Sequence, residues 1–291
     1  MNIKSRLALI TAAALMAAAV AASSDARADG YEVVKSAPAE ESRKFTYSFT
    51  LTGTSDYVFR GISQTDNDPT VQGSIDIGYG IFYAGVWSSG LDLEAVGSPA
   101  QVEIDYYAGL RPVWGPATFD FGILYYSYPG QNWNPGIDLP GIGYWELKAG
   151  ATVAPVTNMT VGGTVYYAWD YSVGTGPVWT LEGNAGYTFH AVGPFTPTVN
   201  AVVGYQTAED NAFLVANGFD NYWYWNAGLS LGVEKLTFDF RYWDTDGASN
   251  PLSDTLTCIN SHCDERFVFS AKVTLPDGER DPVPVRGSLR R

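Results

Sequence analysis

The sequence predicts an all-β fold, a transmembrane antiparallel up-and-down β-barrel of about 12 strands. Three observations support this prediction: 14% of the residues are aromatic and 31 are glycine, apolar and polar residues alternate with a period of two, and short connections alternate with long ones. With 46% hydrophobic and 16% charged residues, the chain can fold, yet its mean hydropathy of −0.07 is too low for a bundle of membrane helices. A net charge of −14 argues against nucleic-acid binding.

The alternation identifies each strand in turn. In the segment 70–79, for example, Val71, Ile75 and Ile77 alternate with Ser74 and Asp76. Most segments reach the roughly 9–11 residues that a tilted strand needs to cross a bilayer. The predicted strands lie at 45–60, 70–79, 81–89, 101–112, 117–128, 142–153, 159–169, 178–189, 197–207, 222–233, 236–245 and 265–275.

The connections between these strands are sorted by length. Outer-membrane barrels have tight periplasmic turns and longer external loops. Tight turns are predicted at 80, 113–116, 154–158, 190–196 and 234–235. Longer external loops are predicted at 61–69, 90–100, 129–141, 170–177, 208–221 and 246–264.

The two ends of the chain lie outside this pattern. Lys4 and Arg6 precede an uncharged run at 7–22, and Ala26-Arg27-Ala28 follows, which predicts a signal peptide at 1–28. Residues 29–44 form a polar N-terminal lead-in, 45–275 the barrel, and 276–291 a charged, proline-containing C-terminal tail. We therefore expect export to the outer membrane of a Gram-negative bacterium.

The cost of placing charges in hydrocarbon, roughly 2–4 kcal/mol at mid-depth, predicts that the apolar series faces lipid and the polar series the lumen. The alternative is a soluble lipocalin-like barrel or sandwich with the apolar series inside. The predicted pore-lining residues are Asp56, Arg60, Asp76, Glu103, Asp105, Arg111, Asp120, Glu146, Lys148, Glu182, Asp239, Arg241, Arg266 and Lys272. Two lipid-facing aromatic girdles are predicted from Tyr57, Phe59, Trp87, Trp145, Tyr167, Trp169, Tyr187, Phe189, Trp223 and Trp225.

The charged lumen has two interpretations. It is either an ion-paired interior that supports the barrel or a charge-selective pore, and its excess of acids favours cations in the second case. Arg60, at the end of a predicted strand, is the leading candidate for a constriction. In the competing interpretation, Arg60 bonds to loop carbonyls or to Asp56.

Cys258 and Cys263 are the only cysteines and lie in one predicted external loop. In an exported protein this spacing predicts a disulfide. The alternative is a metal site that includes His262, although it would need a further ligand.

One stretch resembles a known family. Ser55-Asp56-Tyr57-Val58-Phe59-Arg60-Gly61-Ile62-Ser63-Gln64-Thr65-Asp66-Asn67-Asp68-Pro69, then Val71-Gln72-Gly73 and Phe82-Tyr83-Ala84-Gly85-Val86-Trp87, are similar to the TorF family of porin-like proteins, also labelled Gcw_chp. These are exported bacterial proteins whose physiological role is largely unassigned. The resemblance implies an outer-membrane barrel with a channel role and carries no established substrate or catalytic residue.

We therefore expect a porin-like channel for passive diffusion of small polar or ionic solutes, with a weak preference for cations and no cofactor. Its expected partners are outer-membrane lipid, the solutes and, during biogenesis, the barrel-assembly machinery. One alternative is a barrel enzyme of the protease or lipase type, although His190 and His262 are expected to be ordinary surface residues. Another is a structural or adhesive barrel that uses external aromatic residues such as Trp133 and Phe213.

Overall fold

The computed structural model describes residues 45–94, 98–131, 141–207, 221–248, 258 and 261–276. The predicted signal peptide, the polar lead-in, almost all of the C-terminal tail, and Trp133 and Phe213 lie outside these residues. No helix of the described part is long and apolar enough to span a membrane.

The described residues form twelve long strands, numbered here in chain order. They are β1 Phe45–Thr54, β2 Thr70–Tyr79, β3 Phe82–Gly90, β4 Val102–Leu110, β5 Ala117–Ser127, β6 Tyr144–Val153, β7 Met159–Ala168, β8 Val178–Thr188, β9 Thr196–Gln206, β10 Tyr222–Val233, β11 Leu236–Asp246 and β12 Arg266–Leu275. Except at the end of β1, the predicted strands match these within a few residues.

Each long strand pairs antiparallel with the next, and β1 pairs with β12, so the sheet closes into an up-and-down barrel. The closing register runs from Phe49 opposite Leu275 to Thr54 opposite Ser270. Closure satisfies the backbone groups that an edge strand would expose, as a hydrocarbon environment requires.

The outer surface of the barrel is apolar and the inner surface is polar. On β2, Val71, Ile75 and Ile77 are exposed, whereas Ser74 and Asp76 are buried. A soluble barrel would show the reverse arrangement. The predicted orientation of the two faces is confirmed.

Aromatic side chains pair across neighbouring strands near the long loops. The ring centroids of Tyr125 and Trp145 are 4.7 Å apart, and those of Tyr167 and Trp179 are 4.3 Å apart. Trp145 and Trp179 are exposed on the outer wall, where amphipathic rings suit a lipid–water interface.

The predicted girdle is wrong for three residues. Tyr57 and Trp87 are buried, and Phe59 packs against the same interior cluster. Trp87 lies on the inner face of β3, opposite Ser74 and Asp105. Aromatic character at a strand end does not distinguish a ring facing lipid from one filling a lumen.

The first strand is shorter than the predicted 45–60. It ends at Thr54, whose hydroxyl donates to the Asp56 carbonyl at 2.8 Å. Residues 55–69, the inserted loop, then turn into the barrel and form a hairpin of Val58–Phe59 and Ile62–Ser63. The apolar residues Tyr57, Val58 and Phe59 continue a strand-like composition beyond Thr54, which is why the sequence extends the strand too far.

We expect Ile75→Lys to destabilise the barrel by about 2–4 kcal/mol, because a lysine on this outward face would meet hydrocarbon. The free energy of unfolding is measured by urea titration in phospholipid vesicles. Ser48→Lys is the matched control, since Ser48 is paired with Asp76 in the register and faces the polar interior. Equal losses for the two variants would contradict the assignment of the faces.

Candidate functional site: the constricted lumen

All fourteen predicted pore-lining residues lie on the inner side of the barrel wall or in the inserted loop. The buried ones are Asp56, Arg60, Asp76, Glu103, Asp105, Glu146, Lys148, Asp239 and Arg241. The partly exposed ones are Arg111, Asp120, Glu182, Arg266 and Lys272. Strict alternation made the placement of the strand residues accessible from sequence, whereas Asp56 and Arg60 lie in the inserted loop.

The tip of the inserted hairpin is a two-residue turn. Arg60 has φ 49° and Gly61 has φ 85°, and Phe59 pairs with Ile62 across them. Two consecutive positive φ values are the pattern of a type I′ turn, which favours glycine at the second position. This backbone conformation is unfavourable for a non-glycine residue such as Arg60, so the contacts of its side chain must offset the conformational cost.

Arg60 is held inside the lumen by Glu146 on β6. Its Nη2 donates to both carboxylate oxygens of Glu146, at 2.9 and 2.8 Å, and its Nη1 donates to Gln206 Oε1 at 3.3 Å. The guanidinium carbon also lies 5.0 Å from the Tyr166 ring centroid. The hypothesis that Arg60 bonds to Asp56 is therefore wrong.

Aromatic residues pack against both sides of the hairpin. Tyr57 lies against Trp87, with ring centroids 5.2 Å apart, in a cluster that includes Tyr126 and Tyr144. Val58 joins a second cluster formed by Tyr222, Tyr224, Trp243 and Val268. The half of the lumen nearest the long loops is thus packed like the core of a soluble protein.

The half nearest the tight turns is lined differently. Its inner side chains include the partly exposed Thr50, Thr118, Thr152, Thr160, Thr198 and Thr274, together with the larger side chains of Tyr83, Arg111, Asp120 and Lys272. Short hydroxyl side chains leave more space than aromatic rings. The inserted hairpin and its two aromatic clusters fill the half nearest the long loops.

Two further ion-pair networks lie on the wall. Asp120 accepts from Lys148 at 2.8 Å and from Arg111 Nε at 3.2 Å, and it also accepts from the Tyr83 hydroxyl at 2.7 Å. These contacts neutralise charge between neighbouring strands and so support the barrel wall.

The second network centres on Arg241, which donates to Asp239 at 2.9 and 3.0 Å. Arg241 also donates to the side-chain oxygens of Asn226 at 2.5 Å and Asn200 at 2.6 Å. One buried cation thereby links β9, β10 and β11.

Other acids are bonded by hydroxyl groups. Asp76 accepts from Ser74 at 2.8 Å and from Tyr107, and Glu103 accepts from Tyr128 at 3.3 Å. Burial, and next the Glu103 carboxylate, raise the pKa of the Tyr128 phenol well above its ordinary value, so this phenol stays protonated as a donor. The lumen combines charge pairs with acids held by neutral donors.

The loop between β11 and β12 carries the predicted disulfide, which joins Cys258 to Cys263. The cysteines are bonded to each other, so the metal-site interpretation is wrong. Among the described residues, no group of three or more His, Cys, Asp or Glu could hold a metal ion.

His262, expected at the surface, is instead 1% exposed. Its Nε2 lies 2.7 Å from Asp66 Oδ1 in the inserted loop. Sequence reasoning missed this contact because the two residues are 196 positions apart and belong to different loops.

Residues 38–275 match a family described as "Bacterial protein of unknown function (Gcw_chp)". The chain belongs to this Gcw_chp family. The expectation drawn from 55–87 is thus confirmed at the level of the family. No curated protein matches the sequence.

Several solved structures share the barrel arrangement at low sequence identity. The "KdgM porin" is 10% identical with a TM-score of 0.49, and the match covers 78% of this chain and 98% of that one. A "NanC porin" structure is 12% identical with a TM-score of 0.47, covering 77% and 98%. "LpxR from Salmonella typhimurium" is 10% identical with a TM-score of 0.40, covering 78% and 99%.

We expect Glu146→Gln to lower the free energy of unfolding by about 3–5 kcal/mol, because it leaves the Arg60 guanidinium buried without its anion. Urea titration in vesicles measures the loss. The double variant Arg60→Gln/Glu146→Gln should recover much of it, since no uncompensated charge then remains. A loss below about 1 kcal/mol for Glu146→Gln would indicate that water solvates the pair.

Proposed function

We propose that this chain is an outer-membrane porin-like channel that lets small polar or ionic solutes diffuse passively, without cofactor or turnover. One observation carries the proposal: an apolar outer wall encloses a charged lumen that an inserted hairpin partly fills. The TorF label groups similar sequences with porins, which is consistent with this proposal. For this chain, that grouping stays a prediction.

The inserted hairpin is the proposed constriction. Arg60 and Glu146 meet across the lumen, and the flanking rings of Tyr57 and Tyr224 fill the space beside them. Solute passage then requires the hairpin to shift or withdraw. Because Arg60 occupies a strained backbone region, a modest loss of contacts favours that movement.

The proposed setting is the outer membrane of a Gram-negative bacterium, reached by means of the signal peptide at 1–28. Lipid would contact the apolar outer wall and its aromatic belt. The barrel-assembly machinery is expected to act on the last strand, Arg266–Leu275.

An enzymatic barrel remains the alternative, but contacts of the two histidines do not favour it. His262 Nε2 faces Asp66, while the nearby Ser63 hydroxyl donates to Asp56 at 2.7 Å rather than to the imidazole. His190 is exposed beside a tight turn. A nucleophile activated by histidine would need a direct hydrogen bond between the two groups.

Gly61→Ala should increase channel opening in planar-bilayer recordings of the purified protein. An added Cβ would lie 2.5 Å from Thr245 Cγ2 and 2.9 Å from Tyr224 Cβ, at φ +85°. Strain of about 1 kcal/mol shifts the balance toward a withdrawn hairpin about fivefold.

Gly115→Ala is the control for that experiment, since Gly115 also has positive φ but an added Cβ would meet nothing within 4 Å. It should leave conductance unchanged. If neither the wild type nor the variants show stepwise conductance and the protein has esterase or protease activity, the channel proposal is wrong and the chain is a barrel enzyme. Silence without such activity would favour a structural or adhesive barrel.

A weak cation preference is expected from the lumen, where eight acidic residues face six basic ones. The reversal potential under a potassium chloride gradient measures it. Replacing both Glu103 and Asp105 by their amides should shift the reversal potential toward anion selectivity. An anion-selective wild-type channel would refute the preference.

A further inference from the structure

The loop that precedes β12 makes direct hydrogen bonds with the inserted loop. The Ser63 amide donates to the His262 carbonyl at 2.9 Å, and His262 Nε2 lies 2.7 Å from Asp66 Oδ1. Arg266 Nη1 donates to Asp56 Oδ2 at 2.9 Å and to Asn67 Oδ1 at 2.5 Å. Backbone and side-chain contacts thus join two loops at opposite ends of the chain.

The disulfide lies next to these contacts in the chain. Cys263 follows His262 and is itself buried, and its carbonyl accepts from the Thr245 hydroxyl on β11 at 2.7 Å. The bond to Cys258 therefore closes a short covalent ring that contains His262, and the hydrogen bond from Thr245 attaches that ring to the barrel wall. Such a ring restricts the conformations that would let His262 turn away from Asp66.

These contacts add to those that hold the hairpin from inside the lumen. Its tip is strained at Arg60, and within the inserted loop the Asp56 carboxylate is shared between Ser63, Thr65 and Arg266. Without Arg266, the Asp56 carboxylate would lose its cationic partner, and without His262, the Asp66 carboxylate would lose its imidazole partner.

We propose that residues 258 and 261–266 form a disulfide-braced latch that holds the inserted hairpin in the lumen, so that cleavage of the disulfide releases the hairpin. Cys258, His262, Cys263 and Arg266 are positioning residues for the constriction. The regulatory part of this inference rests on the proposed channel function, whereas the mechanical coupling does not.

A dithiol reductant such as dithiothreitol would operate the latch by two thiol–disulfide exchanges. A reagent thiolate attacks one cysteine sulfur and forms a mixed disulfide, and the second reagent thiol then displaces that cysteine. The Cys258–Cys263 bond is reduced to two thiols, and the reagent is oxidised to a cyclic disulfide.

Hydrogen–deuterium exchange of the folded protein in detergent micelles tests the coupling without requiring conductance. We expect exchange of the backbone amides in 55–69, the Ser63 amide included, to accelerate about tenfold or more after dithiothreitol treatment. The variant Cys258→Ser/Cys263→Ser should reproduce this acceleration and no longer respond to the reagent. His262→Ala, which keeps the disulfide, should accelerate the same amides.

Thr188→Ala is the matched control, because the Thr188 hydroxyl contacts Thr198 at 3.2 Å near the tight-turn end. It should leave exchange in 55–69 unchanged. Unchanged amide exchange in 55–69 after verified reduction of the disulfide would overturn the latch, whatever the conductance of the channel. This test uses wild-type protein that is reduced after folding, so a folding defect of the variants cannot affect it.

Planar-bilayer recordings of the same samples test the regulatory part. Conductance that rises on reduction in the wild type, but not in the double cysteine variant, supports control of the channel by the latch. Accelerated exchange with unchanged conductance in a conducting barrel would overturn that control. A barrel that never conducts, yet shows accelerated exchange, would overturn the proposed channel and leave the mechanical latch standing.

Discussion

Closure of the sheet between β1 and β12 is the constraint on which the other features depend. The pairing of Thr54 with Ser270 and of Phe49 with Leu275 removes both edges and separates an inside from an outside. Side chains of successive residues then point to different environments. The apolar exterior, the charged lumen and the inserted loop all presuppose that separation.

The closed wall also determines how the charges are stabilised. Lys148 reaches Asp120 on a neighbouring strand, and Arg241 joins Asp239 and two asparagines. The Arg60–Glu146 pair is different because one partner comes from the inserted hairpin. One set of contacts therefore stabilises the barrel wall, and a different set holds the hairpin in the lumen. The contacts of the hairpin can change while the barrel stays closed.

Much of this architecture could be predicted from periodicity. A period of two assigned Asp76, Glu103 and Glu146 to the lumen, since each alternates with an apolar neighbour on a regular strand. The same argument failed for Trp87, which belongs to the polar series of β3, and for Tyr57 and Phe59, which follow the end of β1. Aromatic rings suit both a lipid interface and a packed interior, so composition could not separate the two.

By itself, the sequence determined the number of long strands, which residues face inward, the sorting of connections by length and the cysteine pair, because these depend on local alternation and short spacing. Tertiary structure alone decided that the first long loop folds into the lumen, that Arg60 meets Glu146, and that His262 is buried against Asp66. These contacts join residues far apart in the chain, and their stability depends on the shape of the space left inside the closed wall. No local pattern encodes that shape.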